Sequence, residues 1–175
     1  MALLETERLI LRPFQKDDLD RLADLMGNAH FMRFSLGVFD RPKTESFLDK
    51  ILGWDREGLP SQFAVAVRSG ELLIGYCGFF HQLVEEANEI EIGYRLHPDY
   101  WNKGMATEAA SAVRDHAFRD LKLPRVISLI HPRNAPSRRV AEKVGLRFER
   151  KAVFKTFPTE VFALTREQWL MMSGV

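Results

Sequence analysis

The sequence predicts an α+β fold, a mixed α/β architecture around a central, mostly antiparallel twisted sheet. One observation is "QFAVAVRSGELLIGYCGFF", residues 62–80, in which two strand-length apolar runs meet at Ser69-Gly70, as in an antiparallel hairpin. The other is the order β-α-α-β-β-β-α-β-α-β-β, which lacks the regular alternation of a doubly wound fold. We therefore expect a mixed sheet of about six or seven strands, flanked by about four helices.

The first half of the chain starts with a strand and two helices. Apolar alternation predicts a strand over residues 7–13. Helical spacing predicts a helix over residues 17–26, with Gly27 just beyond its end, and a second helix over residues 43–54. The hairpin of residues 62–80 follows, and the pattern changes there from helical to strand-like.

The second half alternates strands and helices. A turn at residues 85–88 precedes a strand that begins at Glu89, in "EIEIGYRLHP". The elements predicted after it are a helix from Gly104 to about Leu121 with an inward stripe of alanines, a strand over 125–130, a helix capped by Asn134 and ended by Gly145, strands over 148–154 and 161–164, and a short helix from Thr165 with capping-box spacing.

Composition favours a single domain over residues 1–175. The net charge of +1 gives no global field for nucleic acid or an acidic membrane. Cys77 is the only cysteine, so an intrachain disulfide or a multi-cysteine metal site is excluded, and no metal site is expected. No apolar run reaches membrane-spanning length and the N-terminal run is too charged for a signal peptide, so a cytoplasmic protein is expected.

The stretch "WNKGMATEAA", residues 101–110, predicts an anion site. A strand leads into a short loop with one glycine, and the loop leads into a helix that starts with small residues. Helix N-terminal N–H groups lack intrahelical partners, and Gly104 and Ala106 would let a phosphate approach the backbone. The alternative is an ordinary helix start, for which Asn102 and Gly104 also suffice. The chain contains neither G-x-x-x-x-G-K-[ST] nor G-x-G-x-x-G.

Three segments in this order resemble the GNAT acetyltransferases, and within them the RimJ/RimL-like branch, which modifies protein N-terminal amines. They are "ETERLILRPFQKDD" at the first strand, "YWNKGMATEA" at the pyrophosphate loop and "NAPSRRVAEKVGLRFE" at the later helix. Gly104 and Ala106 match the loop pattern, whereas Trp101 stands where Gln or Arg is usual and Leu146 replaces a Phe. The resemblance spans nearly the whole chain and implies a GNAT-like fold.

The resemblance implies acetyl-CoA as the cofactor. It also implies a β-bulge in the strand of residues 89–97, which would part that strand from residues 125–130 and admit the pantetheine arm. The cofactor-binding residues that it implies are Tyr94, Leu96, Trp101, Asn102, Lys103, Gly104, Met105, Ala106, Thr107, Asn134, Ser137 and Arg138. Arg133, Arg138 and Arg139 form a basic cluster that suits phosphates, although most such clusters are solvated helix faces.

Two residues are candidates for proton transfer. Glu91 is closer than Glu89 to the family's base position, and a shielded carboxylate there could take the proton of an acceptor amine directly or through water. The alternative is a pair of solvated strand glutamates. The tyrosine that often protonates the leaving thiolate is replaced by Ala141, and Ser137 stands where the RimJ/RimL-like branch has a serine. Ser137 could also simply bond backbone near a helix start.

The implied reaction is transfer of an acetyl group to a primary amine by direct attack in a ternary complex. Three functions remain open: acetylation of a protein or peptide N-terminus, acetylation of a small amine such as a polyamine, amino acid or amino sugar, and non-catalytic binding of acetyl-CoA. A monomer or homodimer is expected. Cys77, in an apolar run, is expected in the core. Aromatic residues are expected either to pack or to wall the acceptor site; they are His30, Phe31, Phe34, Phe39 and Trp54.

Overall fold

A computed structural model describes residues 2–174 and confirms the mixed α/β class. In that range eight strands form one sheet, in the order β1-β2-β3-β4-β5-β6-β8-β7. The strands are β1 (Leu4–Glu5), β2 (Leu9–Pro13), β3 (Gln62–Val67), β4 (Leu73–Val84), β5 (Ala87–Leu96), β6 (Arg125–Ile130), β7 (Arg147–Phe154) and β8 (Phe157–Thr165). The helices are α1 (Leu19–Met26), α2 (Arg41–Arg56), α3 (Met105–Asp115), α4 (Ala135–Val144) and α5 (Arg166–Met172).

The sheet consists of two antiparallel parts that meet at a parallel pair of strands. Strands β1 to β5 pair antiparallel in sequence order, and β8 pairs antiparallel with both β6 and β7. Strands β5 and β6 run parallel, and Glu91 with Ile127 is their one register pair among the described residues. The two strands separate beyond that pair, which leaves an opening in the middle of the sheet.

The prediction of a β-bulge in β5 is wrong. Strand β5 pairs with β4 in an unbroken register over its whole length, from Ala87 to Leu96. The register shifts that the sheet does contain lie between Val65 and Ala66 in β3 and between Phe148 and Arg150 in β7. The opening beside β5 therefore follows from the limited pairing with β6 and not from an extra residue in β5.

The sheet carries a separate apolar core on each face. One core joins the sheet to α3, α4 and α5, and the other joins it to α1 and α2. Ala109 and Ala110 are fully buried, as the small-residue stripe of α3 predicts, and their size lets the helix lie close to the strands. The α-helix ends at Asp115 and continues as a π-helical turn to Asp120, so the regular helix is shorter than the predicted one, and Leu121, at the predicted end, is exposed.

The predicted caps of α4 and α5 are confirmed. The side chain of Asn134 accepts a hydrogen bond from the Ser137 N–H at 3.2 Å, and Gly145 ends α4 with φ of 104°. Thr165 forms a capping box with Gln168 at the start of α5. Other boundaries differ by a few residues. Strand β4 continues past the predicted Phe80 to Val84, and β8 starts at Phe157 instead of Val161, after a two-residue turn.

Two short elements were not predicted at the N-terminus. Strand β1 is two residues long, too short for a detectable periodicity, and a 3₁₀ turn of Lys16–Asp18 precedes α1. Among residues 2–174, no helix is both long and apolar enough to cross a membrane.

Candidate active site

The opening between β5 and β6 is held by side chains. Ser128 on β6 donates a hydrogen bond from its hydroxyl to the carbonyl of Ile92 at 2.8 Å. The Glu91 carboxylate accepts one from the Leu129 N–H at 3.1 Å. Where the backbone hydrogen bonds between β5 and β6 end, these two side-chain bonds still join the strands. They fix the distance between the two strands beside the opening.

Two cavities lie beside this opening. One, of about 490 Å³, extends toward α2 and the turn between β7 and β8, and we call it the acceptor cavity. The other, of about 510 Å³, extends toward the start of α3 and along α4, and we call it the cofactor cavity. The residues that line both are Phe34, Tyr94, Arg95, Asn134 and Ser137. The cavities therefore meet at one place, where groups bound in each can come into contact.

The cofactor cavity contains the start of α3. Gly104 precedes the helix with φ of 76°, a left-handed conformation that favours glycine, and no side chain among the described residues caps the helix. The N–H groups of Met105, Ala106 and Thr107 therefore have neither an intrahelical acceptor nor a capping side chain. An uncapped helix N-terminus facing a cavity is suited to a phosphate.

Arg8 holds the loop before α3 in place from the other side. Its guanidinium donates to the carbonyl of Lys103 at 2.8 Å and to the carboxylate of Glu108 at 2.7 Å, and its backbone N–H donates to the same carboxylate at 2.8 Å. Burial raises the pKa of Glu108, but the hydrogen bonds from Thr6 and Arg8 outweigh it and lower that pKa overall. Sequence reasoning missed Arg8, because no local pattern links residues a hundred positions apart.

Most of the predicted cofactor-binding residues line the cofactor cavity. They are Tyr94, Leu96, Trp101, Asn102, Gly104, Met105, Ala106, Thr107, Asn134 and Ser137. Trp101, which departs from the family's Gln or Arg, donates from its indole N–H to the Leu96 carbonyl at 2.7 Å. That bond fixes the loop to the end of β5.

Two predicted cofactor-binding residues lie outside this lining. The Arg138 guanidinium donates to the Pro132 carbonyl at 3.0 Å and to Glu160 on β8 at 3.1 Å. The ammonium of Lys103 lies 5.7 Å from the centre of the Tyr100 ring. The cations that do line the cavity are Arg33, Arg95, Arg139 and Lys143, and its described lining contains no carboxylate. This charge distribution suits a polyanion such as CoA, which carries a pyrophosphate and a ribose phosphate.

Tyr94 and Ser137 bond to each other where the two cavities meet. The Ser137 hydroxyl donates to the Tyr94 phenol oxygen at 3.1 Å, and the phenol donates to the Ser137 carbonyl at 2.8 Å. Burial raises the pKa of Tyr94, so the phenol stays protonated. Ala141, in the usual tyrosine position, is buried in the core. A pair of hydroxyl groups thus lies at the junction, although no tyrosine comes from α4.

Glu91 lines the acceptor cavity and is the one carboxylate in its described lining. Its two oxygens accept hydrogen bonds from Gln82 at 2.8 Å and from the Leu129 N–H. Burial nevertheless raises the pKa of the Glu91 carboxyl above its usual range. A buried carboxylate with a raised pKa in a cavity is a candidate proton acceptor.

Glu89 has a structural role. Both of its oxygens bind the Arg125 guanidinium at 3.2 Å, and Arg125 also binds Glu149 at 2.7 Å. Glu89 lines neither cavity. The sequence places Glu89 and Glu91 on the same face of their strand. In the structure the Glu89 carboxylate is bound by Arg125, whereas the Glu91 carboxylate lines the acceptor cavity.

Many aromatic side chains line the acceptor cavity. Three of the predicted wall residues, Phe34, Phe39 and Trp54, line it, whereas His30 and Phe31 line the cofactor cavity. Its lining also includes Phe47 and Lys50 from α2 and side chains from β4 and from the β7–β8 hairpin, which sequence reasoning did not identify. Leu36, 74% exposed, stands at its mouth, so the cavity opens to solvent.

Cys77 lies in the core, as expected. It is fully buried, and that burial raises the pKa of its thiol. It lines neither cavity. Within residues 2–174 no cluster of His, Cys, Asp and Glu could hold a metal ion.

Comparison with known proteins identifies relatives along nearly the entire chain. The family described as "Acetyltransferase (GNAT) domain" matches residues 8–147. The uncharacterized N-acetyltransferase YnaD of Bacillus subtilis (strain 168) is 31% identical over 173 residues, covering 95% of this chain and 98% of YnaD.

Solved structures share the fold. A GNAT-family acetyltransferase from Bacillus anthracis superimposes with a TM-score of 0.80 at 29% identity, over 95% of this chain and 99% of that one. RimL, a ribosomal L7/L12 alpha-N-protein acetyltransferase solved in complex with coenzyme A, gives a TM-score of 0.79 over 95% of this chain and 99% of its own. At 16% identity the likeness to RimL shows the fold alone.

Proposed function

Because this chain belongs to the GNAT acetyltransferase family and is an acetyl-CoA-dependent acyltransferase, we propose that it acetylates a primary amine held beside Glu91, with both substrates bound at once. The observation that carries this proposal is the meeting of the two cavities at Tyr94 and Ser137. One cavity has the features of an anion site and the other contains a buried carboxylate. Binding both reactants in one site replaces an encounter in solution with a positioned contact.

The cofactor cavity would hold acetyl-CoA by its phosphates and its pantetheine arm. The N–H groups at the start of α3, with Arg139 and Lys143, are the proposed phosphate partners. Alternate residues of a strand direct their backbone groups to the same edge of that strand. The Ile92 carbonyl points toward β6, where it accepts from Ser128, so the Tyr94 N–H also points toward β6 and the opening. When bound, acetyl-CoA supplies the acetyl group as a thioester that the acceptor nitrogen attacks.

Glu91 would take the proton that the acceptor amine must lose. An amine is mostly protonated at neutral pH, and its nitrogen lone pair is free only after the proton leaves. Glu91 can accept that proton directly or through a water, because its carboxylate lines the cavity and its pKa is raised by burial. Its bonds to Gln82 and Leu129 hold the carboxylate in one orientation.

Ser137 would donate a hydrogen bond to the leaving thiolate. Its hydroxyl donates to the Tyr94 phenol in the free protein, so it would turn from the phenol to the thiolate as the thiolate forms. A thiol with a pKa of about 8.5 leaves without a strong acid, so this assistance is secondary to the role of Glu91.

We retain two classes of acceptor, a peptide N-terminus and a small amine. The open mouth at Leu36 admits the end of a longer chain as well as a free molecule. Membership of an acetyltransferase family and relatives named N-acetyltransferases support an enzyme over a non-catalytic binding module. We also propose that residues 1–175 form one domain, since β8, beyond the matched range, pairs with β6 inside it.

A screen of CoA release tests the proposal. Peptides with free N-termini and small amines are each incubated with acetyl-CoA, beside a direct binding titration of acetyl-CoA. We expect binding, turnover of at least one amine, and a product that mass spectrometry shows to be acetylated at its amine. Tight binding of acetyl-CoA without turnover on any amine would contradict the proposed transfer.

A further inference from the structure

Two lysines line the acceptor cavity from opposite elements. Lys50 lies on α2, and Lys155 lies in the two-residue turn that joins β7 to β8, where Phe154 pairs with Phe157. The ammonium of Lys50 lies 5.2 Å from the centre of the Trp54 ring, and that of Lys155 lies 5.2 Å from the Phe154 ring. Both rings also line the cavity, so each ammonium is held against its wall.

Neither ammonium lies within salt-bridge distance of a carboxylate in the described part of the chain; the charge of Lys155 acts on Glu91 only from further away. No salt bridge among the described residues includes either lysine, whereas Arg125 on β6 is paired with Glu89 and Arg138 on α4 is paired with Glu160. Partial burial lowers the pKa of Lys50, and the positive charge of Lys155 lowers it further. The two cations thus repel each other across the cavity, an arrangement that a bound anion would stabilise.

The whole lining carries an excess of positive charge. Its cations are Lys50, Arg95 and Lys155, against the single carboxylate of Glu91. The Arg95 guanidinium donates to the carbonyls of Phe31 and Arg33, which are neutral acceptors, and the charges of Arg95 and Lys155 both act on the one carboxylate, Glu91, and lower its pKa against the larger effect of burial. A cationic acceptor such as a polyamine would meet repulsion here, whereas an anionic group would be attracted.

We propose that the acceptor is an amine that also carries an anionic group, a carboxylate or a phosphate, which Lys50 and Lys155 bind while the amine reaches Glu91. This inference rests on the proposed acetyl transfer and names the substrate class for the same site. A small amino acid-like molecule and a peptide with an acidic side chain next to its N-terminus share this chemistry. Either would place a negative charge at the lysines and a nitrogen at the carboxylate.

Matched acceptors test the inference. Each pair differs by one carboxylate replaced by its carboxamide: 4-aminobutyrate against 4-aminobutanamide for a small amine, and the peptide amides Ala-Glu and Ala-Gln for an N-terminus. We expect kcat/KM to be about tenfold or more higher for the carboxylate of at least one pair, because two charge-assisted contacts are lost in the amide. The pair that shows the preference identifies the source of the acceptor.

Variants assign the preference to the two lysines. Lys50→Met combined with Lys155→Met should reduce the ratio within the responding pair to about one, since both charges are lost and chain length is kept. Lys43→Met removes the same charge from the same helix outside either cavity and should leave the ratio unchanged. Equal kcat/KM within both pairs in the wild type, or a preference that survives in the double variant, would overturn the inference.

Binding of the same acceptors to the protein is also measured by titration with CoA in place of acetyl-CoA, so that no acetyl transfer can occur. This binding measurement does not need turnover, so it separates the two proposals. Tighter binding of a carboxylate than of its amide, dependent on the lysines, supports the anion site even if no acceptor is acetylated. Acetylation without any difference within either pair supports acetyl transfer and rejects the anion site.

Discussion

The two cavities are built in different ways. The cofactor cavity owes much of its lining to one stretch of chain, from Tyr94 to Thr107, and its proposed anion contacts include backbone N–H groups. The acceptor cavity gathers side chains from α2, β4 and the β7–β8 hairpin, which are far apart in sequence. Backbone contacts tolerate many side chains, whereas a wall of side chains changes with each substitution. One scaffold can therefore keep its cofactor while its acceptor differs.

The largest expected effect is a loss of kcat from a substitution in the acceptor cavity. Glu91→Gln keeps the size of the side chain and one acceptor oxygen for the Leu129 N–H, and the bond to Gln82 is kept if the Gln82 amide rotates to accept, but the amide cannot take a proton, so kcat should fall by about 10²–10⁴-fold. The affinity for acetyl-CoA, measured by titration, should stay near that of the wild type because Glu91 does not line the cofactor cavity. Glu89→Gln is the matched control and should lose little kcat.

The pH profile sharpens this prediction. A base works only when ionised, so wild-type kcat/KM should fall as pH falls through the pKa of Glu91, which burial raises. The acceptor amine contributes its own acid limb, and the comparison must use one amine with both proteins. If Glu91→Gln loses less than about threefold in kcat and keeps the wild-type profile, Glu91 is not the base.

The next largest expected effect is a rise in KM for acetyl-CoA from a substitution beside the cofactor cavity. Gly104→Val forces a β-branched residue into a left-handed conformation at φ of 76°, which displaces the loop from its position. KM for acetyl-CoA should rise by about tenfold or more. Gly58→Val is the control, because Gly58 has φ of 71° and lies in neither cavity. Equal KM values in wild type and Gly104→Val, with both proteins folded, would remove the phosphate assignment.

A smaller effect should follow from loss of the Arg8 side chain, which holds the same loop in place. Arg8→Met removes the bonds to Lys103 and Glu108 while the cavity lining stays intact. We expect KM for acetyl-CoA to rise about threefold, and kcat at saturation to stay close to the wild-type value. Arg68→Met serves as the control, since Arg68 bonds to Thr6 and Glu5 without touching the loop. A change in kcat with constant KM would place Arg8 in a different role.

The smallest effect is expected at Cys77. Direct attack in a ternary complex forms no acyl-enzyme, and this thiol is buried away from both cavities. Cys77→Ser should keep kcat within about twofold, although a hydroxyl in the core lowers stability. Mass spectrometry of the wild type with acetyl-CoA alone should find no acetylated Cys77. Its detection, with ping-pong kinetics, would contradict direct attack.

The sequence predicted the cofactor side better than the acceptor side for physical reasons. The loop and helix start of residues 101–107 are local, so their spacing alone carries the signal. The sequence could not separate Arg138 from Arg139, because successive helical residues point about 100° apart, and which one faces a cavity depends on how the helix packs. Glu89 and Glu91 could not be separated by strand periodicity, since Arg125 from another strand binds the first.

The wall of the acceptor cavity could not be predicted because it depends on contacts between distant elements. Lys50 and Lys155 carry no motif, and only the fold brings α2 and the β7–β8 turn to the same cavity. The gap between β5 and β6 was expected from the family resemblance, but its cause is their limited pairing and not the expected bulge. The oligomeric state and the cytoplasmic location stay predictions.

The bond from the Leu129 N–H to Glu91 makes one backbone amide a spectroscopic reporter of the proposed base. A carboxylate accepts this bond more strongly than a neutral carboxyl group, so the amide resonance of Leu129 should shift as Glu91 gains its proton. An NMR titration of the free enzyme would follow the ionisation without substrate and without the overlapping titration of an acceptor amine. The same resonance, recorded with CoA bound, would show how occupation of one cavity alters the base in the other.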